Sequence, residues 1–148
     1  EDRQAFSSRC GARRRERQLG TGWGFGVLLG ETLMGEMNLS NLVRGAFHSA
    51  HVGYWIDEQQ AGSGYIPEAL VVLARFAFEQ LDLHRLQVAI VPRNAASRRV
   101  VDKVGLRCEG LAERYLEING VWEDHLRYAI TTEEWSERSV ELKRAWLD

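Results

Sequence analysis

The sequence is short of cysteine, of proline, of long apolar runs and of net charge. It has two cysteines and two prolines in 148 residues. Cys10 and Cys108 form no CxxC pair, and the four histidines are scattered, so no ligand set stands at zinc-finger spacing. A structural metal is therefore not expected, and the two thiols fit a reducing, cytoplasmic setting rather than a disulfide framework. Every apolar run falls well short of the ~20 residues that cross a bilayer. No basic segment followed by an apolar stretch opens the chain in the manner of a secretory signal. No membrane partner is expected. The formal net charge is −2, which excludes a global basic field for sequence-specific nucleic-acid binding. Five tryptophans are present, but Trp23, Trp55, Trp122, Trp135 and Trp146 do not cluster as a base-stacking platform; core and interface packing is the expectation.

What is present suits a single domain over residues 1–148. The length is ordinary for one domain, and 45% hydrophobic content can fill a core. Residues 1–18 are polar and carry six arginines. They read either as an RNA-contacting arm or as the surface of a helix end or a loose tail. Trp23–Leu29 and Thr32–Leu39 are short apolar runs around Gly30-Glu31, a hairpin pattern. Asn41–His51 reads as a loop, and the β-branched and aromatic Val52–Ile56 as a strand. A long helix follows, with Pro67 in its first turn and Leu70, Leu73, Ala74, Ala77, Phe78 and Leu81 on its apolar face. Leu86–Val91 reads as a buried strand. Asn94 then caps a short helix that Gly105 ends. Ala112–Asn119 and Glu123–Ile130 flank Asn119-Gly120, a strong hairpin dipeptide. Thr131 and Glu134 predict a capping box for a last helix. Trp135, Leu142 and Trp146 share one face of that helix and either cover the sheet or join two copies into a homodimer. The order β-β-β-α-β-α-β-β-α is a mixed α/β domain with one right-handed parallel βαβ unit.

The chemistry concentrates where Val52–Ile56 runs through a glycine loop into the long helix. Backbone N–H groups before a helix N-terminus attract an anion, and Gly62 and Gly64 let the chain approach a pyrophosphate closely. No Gly-Lys-Ser/Thr follows, so this is not a P-loop. A third glycine is missing, so it is a poor dinucleotide fingerprint. By itself Gly62-x-Gly64 is also compatible with an ordinary turn.

The fuller pattern is Gln59-x-x-Gly62-x-Gly64, then Asn94-x-x-Ser97, then Gly105-Leu106 leading to Gly110. It resembles the acetyl-CoA motif of the GNAT N-acetyltransferases. The stretches SNLVRGAFH (Ser40–His48), GYIPEAL (Gly64–Leu70) and YLEINGVWEDH (Tyr115–His125) are most similar to the bacterial ribosomal-protein-alanine branch. The resemblance covers roughly residues 22–135. It implies a mostly antiparallel sheet, splayed at its parallel pair to admit acetyl-CoA as co-substrate, with flanking helices. It also implies a first strand and two helices, of which this sequence is expected to hold only the end. By the same resemblance, the backbone of Tyr54, Trp55 and Ile56 would pair with the pantetheine arm. Gln59 belongs to the pyrophosphate motif, and the N–H groups of Gln60, Ala61, Gly62, Ser63, Gly64 and Tyr65 would hold the pyrophosphate. Asn94 would bind pantetheine, and Ser97 would lie near the sulfur.

Direct attack of an amine on the thioester requires positioning, an oxyanion donor and two proton transfers. The tyrosine acid of many GNAT enzymes falls at Val101 here, and a glutamate base of some falls at Ala89. Ser97 is the substitute acid, or else a helix-start residue bonding the backbone. Glu36, Glu117 or a bound water is the candidate base. Arg44, Phe47, His48 and Tyr115 are the candidate acceptor contacts, and Arg98, Arg99 and Lys103 meet the 3′-phosphate or form a solvated helix face. The expected acceptor is a ribosomal protein's N-terminal alanine. A small amine (a polyamine or an aminoglycoside) is the alternative, the former requiring acidic residues such as Glu31, Glu36, Glu113, Glu117, Glu123 and Asp124 at the mouth. A catalytically silent acetyl-CoA sensor is the other.

Overall fold

The computed structural model of the chain describes residues 3–148; Glu1 and Asp2, the start of the arginine-rich segment, lie outside the described residues. The elements in order are α1 (Arg3–Leu19), β1 (Trp23–Leu29), β2 (Thr32–Val43), β3 (Ser49–Ile56), a 3₁₀ turn (Glu58–Gln60), α2 (Tyr65–Glu79), β4 (Arg85–Ile90), α3 (Ala95–Val104), β5 (Arg107–Ile118), β6 (Val121–Thr131) and α4 (Thr132–Trp146). The strands form one sheet in the order β1-β2-β3-β4-β6-β5. All neighbours are antiparallel except β3 and β4, the parallel pair joined through α2.

The arginine-rich segment is helical from Arg3, with no buried residue. Arg9 pairs with Glu36 at 3.7 Å, and the Arg13 side chain lies against Gly24, so the helix leans on β1 and β2 through arginine stems. Among the described residues, no helix is long and apolar enough to cross a membrane.

The strands are longer than their apolar runs. β3 begins at Ser49 rather than Val52, and the expected loop Asn41–His51 contracts to residues 44–48. The reason is tertiary. Ser49 and Ala50 are buried, and they pair with Arg85 and Leu86 of β4. Likewise β5 starts at Arg107 and β6 runs from Val121 to Thr131, because cross-strand pairing carries polar residues into the ladder. Asn119 and Gly120 have φ of 50° and 82°, the two positive values a tight two-residue hairpin requires.

The main core lies between the sheet and the helices α2, α3 and α4. Leu70, Val71, Ala74, Ala77 and Phe78 of α2 meet Leu39, Ala50, Val52, Leu86 and Val88 of the sheet. Each large aliphatic side chain buried this way contributes about 1.5–3 kcal/mol. Trp135 of α4 stacks on Phe78 with centroids 5.7 Å apart, and its indole N–H donates to Glu79 at 3.3 Å. The Thr131–Glu134 capping box holds α4 at its start.

Candidate functional site

The sheet parts in its middle. β3 and β4 pair only from Ser49–His51 to Arg85–Gln87. Beyond that, residues 52–56 keep β2 as their neighbour and residues 88–90 keep β6. A cleft of about 430 Å³ opens where the two strands separate.

Three elements build its walls. β3 contributes Tyr54, Trp55 and Ile56; the glycine loop and the start of α2 contribute Gln60, Ala61, Gly62, Gly64 and Tyr65; α3 contributes Asn94, Ser97, Arg99 and Lys103. The residues expected to hold one cofactor therefore converge on one cavity, although Gln59 and Ser63 do not line it. Gln59 gives its N–H to Asp57 Oδ1 at 3.0 Å and shapes the 3₁₀ turn.

The loop exposes only some of its N–H groups. Those of Gln60, Ala61 and Ser63 donate to carbonyls within the turn, at 2.9, 3.3 and 3.3 Å. No loop carbonyl takes the N–H of Gly62, Gly64 or Tyr65. Gly64 is the N-cap of α2 with φ 85°, so its backbone turns sharply into the helix and leaves the first-turn donors at the mouth. With Arg99 and Lys103 on the facing helix, this end of the cleft suits a polyphosphate. Arg98 instead turns inward, and Nη1 donates to the Pro92 carbonyl at 3.1 Å.

Asn94 caps α3 by accepting the Ser97 N–H on Oδ1 at 3.1 Å. Its amide N–H₂ makes no bond to the cap and can face a ligand. Ser97 does more than start the helix. Its hydroxyl donates to Tyr54 Oη at 3.0 Å, and Tyr54 Oη donates back to the Ser97 carbonyl at 2.9 Å. Burial pushes the Tyr54 phenol up to about 12, against the Ser97 hydrogen bond, which pulls it down. A side-chain role for Tyr54 was not anticipated, since only its backbone was assigned. The available signal was strand alternation, which puts Tyr54 on the same inward face as Ala50 and Val52, where a phenol must find a partner. Val101, the usual tyrosine position, is fully buried in the core.

The other candidates lie elsewhere. Glu36 is on β2, paired with Arg9, in a smaller cavity beneath α1. Glu117 sits near the tip of the β5–β6 hairpin opposite Trp122, exposed and outside the cleft. Arg44, Phe47 and His48 occupy the loop before β3, at the opposite end of that strand from the cleft, roughly 20 Å away along a strand of this length. Arg44 Nη1 donates to the Leu81 carbonyl at 2.6 Å, a tie between two loops. Tyr115 packs edge-on against His125 and beneath Arg127, on the far face of the sheet from α2.

A model of the acetyltransferase (GNAT) domain matches residues 1–107. The Bacillus subtilis protein YjcK, named a probable N-acetyltransferase, is 41% identical over 100 residues, 68% of this chain and 55% of its own length. The [ribosomal protein uS5]-alanine N-acetyltransferase of Escherichia coli is 36% identical over 104 residues, 70% of this chain and 54% of its own. The chain thus spans about half the length of these curated relatives. Among solved structures, Mycobacterium smegmatis RimJ in complex with CoA-disulfide superposes with a TM-score of 0.89 at 35% identity, over 96% of this chain and 68% of that one.

Proposed function

The chain belongs to the GNAT acetyltransferase family, and within it we propose that it moves the acetyl group of acetyl-CoA to the N-terminal amine of a protein, an alanine at the start of a ribosomal protein. The observation that carries this reading is the parting of β3 from β4 directly beside the N-terminus of α2. An extended ligand arm can add to the free side of β3 while its phosphates meet the Gly62, Gly64 and Tyr65 N–H groups. The resemblance between the RimJ complex with CoA-disulfide and this chain supports a coenzyme A ligand in that cleft.

Acetyl-CoA supplies the activated acyl group as a thioester. The chain holds it along β3, offers strand N–H groups to the carbonyl oxygen as negative charge develops there, and lines the same cleft with the hydrogen-bonded Tyr54–Ser97 pair. A protein terminus suits the acceptor side better than a polycation. Glu36 pairs with Arg9, Glu123 with Arg93, and Asp124 accepts the Arg114 N–H, so these carboxylates already have partners within the chain.

Labelled acetyl-CoA offered with a peptide beginning in free alanine, and in parallel with spermidine, tests the reading. Transfer to the peptide that stops when its α-amine is blocked is the expected result. Transfer to spermidine alone moves the assignment to small amines. Binding of acetyl-CoA without transfer to either makes the chain a coenzyme-binding module.

A further inference from the structure

We propose that Trp146, in the last turn of α4, is a positioning residue for the phosphate end of the coenzyme site. Its ring holds Gly64 and, through Gly64, the free N–H groups of the glycine loop. The proposal deepens the acetyl-transfer reading and rests on its coenzyme half.

The glycine loop has little of its own to hold it. Gly62 and Gly64 stand at φ of 83° and 85° and carry no side chain. Glycine enters that region without steric cost and leaves it as easily. The N–H bonds of Gln60, Ala61 and Ser63 stay inside the loop, and the Asp57 N–H ties its start to the Met34 carbonyl of β2. Among the described residues, no hydrogen bond joins residues 58–63 to another element. A fixed shape must then come from packing.

Trp146 supplies that packing. Its Cζ3 lies 3.7 Å from the point where a Gly64 Cβ would stand, and nothing else outside the adjoining residues comes within 4 Å of it. Gly64 walls the cleft and Trp146 does not, so the ring backs the loop from outside the cavity. The indole is half-buried and packs on the main core.

α4 is strapped to both helices that wall the cleft. At the far end of α2, Trp135 stacks on Phe78 and Lys143 Nζ donates to Glu79 at 2.6 Å. At the end of α3, Arg138 donates to the carbonyls of Val104 and Gly105, both at 2.9 Å. From Trp135 the helix rises about 16 Å to Trp146, which delivers the ring to the start of α2. One brace thus fixes the phosphate loop relative to the Asn94–Lys103 wall. The loop donors keep their aim before a ligand arrives, and binding is spared the cost of ordering them.

The test uses W146A and W146F, with V140A as the control, since Val140 is 69% exposed on the same helix. Acetyl-CoA is compared with S-acetylpantetheine, the same thioester arm without phosphates. In W146A, calorimetric affinity for acetyl-CoA should fall about tenfold, close to the worth of one charge-assisted hydrogen bond. W146F, which keeps a flat ring, and V140A should stay within about threefold. With the alanine-start peptide, kcat/KM for acetyl-CoA should fall by the same factor in W146A, while that for S-acetylpantetheine holds. At saturating acetyl-CoA, kcat should stay within about threefold. Equal losses on both donors mean general damage and overturn the proposal, as does W146A binding acetyl-CoA within about threefold of wild type. W146L carries the same comparison if W146A does not fold. Wild type that fails to bind acetyl-CoA ends the coenzyme reading and this proposal together. Wild type that binds it but acetylates no amine ends the transfer reading alone, and calorimetry still decides the part of Trp146.

Discussion

Gln87 donates an amide N–H to Nε2 of His51, and that contact fixes the charge of the histidine. The amide orientation is set from the other side, where Gln87 Oε1 accepts from Arg85 Nε at 3.1 Å. His51 Nε2 is therefore an acceptor and the ring is neutral, with its proton on the buried Nδ1. Burial, and then the charges of Arg127 and Arg85, hold its pKa below the ordinary 6.5. The sign follows from linkage. A depressed pKa means the unfolded chain binds the proton more readily, so this stability is whole above about 6.5 and is lost as pH falls below it. Urea midpoints measured at pH 7 and pH 5 should drop more in wild type than in H51Q, which cannot titrate. Equal drops would mean that His51 is not held neutral.

Arg85 links this histidine to β5, because its guanidinium grips both oxygens of Glu109, which Arg107 also holds. The Arg85 pairing, with help from Arg107, pulls Glu109 down to about 2. Stability from this depressed carboxylate is complete above the usual carboxylate range and disappears as pH falls through the interval towards 2. E109Q leaves Arg85, whose side chain is 16% exposed, with a weaker partner. We expect a loss on the order of 1–2 kcal/mol at neutral pH, and a flatter acid limb in thermal melts. A variant as stable as wild type at pH 7 would reduce the pair to a surface contact.

These polar chains mark the boundary of what the sequence discloses. Local features were legible because short-range chemistry decides them: Asn94 and Thr131 as caps, Gly105 as a helix stop at φ 84°, and the Asn119-Gly120 turn. The parallel βαβ unit and the convergence of Gly62, Gly64, Asn94 and Ser97 were legible because motif spacing and strand order determine them together. The start of β3 was not, since Ser49 and His51 look like loop residues until β4 lies beside them. Nor were the partners of Tyr54 and His51, since Ser97 and Gln87 stand 43 and 36 positions away and only the fold brings them together. The acceptor candidates Arg44, Phe47 and His48 came from the resemblance of SNLVRGAFH, and their distance from the cleft, at the other end of β3, is a feature of the fold that the resemblance did not carry.

Gly64 offers a test of backbone shape without crowding. A Cβ there would meet only Trp146 Cζ3 at 3.7 Å, an ordinary contact, but φ of 85° is costly for any L side chain. G64A should lose about 1–2 kcal/mol. Relief of the strain would turn the Gly64 and Tyr65 N–H groups away from the cleft, so acetyl-CoA affinity should fall about tenfold. Calorimetry showing full affinity in a destabilised G64A would remove these donors from the binding site.

Gly35 controls the cleft from behind. It sits on β2 opposite Ile56, and a Cβ built on it would come within 2.2 Å of the Trp55 carbonyl oxygen and 3.0 Å of Ile56 Cα. Both obstacles are backbone, so no rotamer change relieves the clash and β3 itself must move. Movement of β3 away from β2 would carry it towards the space where β4 has departed. G35A should therefore cost about 1–3 kcal/mol and also narrow the cleft that Trp55 and Ile56 line. Gly53, two residues before Trp55 on β3, provides the control, since a Cβ there has no heavy atom within 4 Å. Denaturant midpoints and acetyl-CoA titrations of G35A and G53A separate the two effects. Lost stability and affinity in G35A, with G53A stable, is the expected pattern; G35A binding as tightly as wild type would show that the ligand does not use this end of β3.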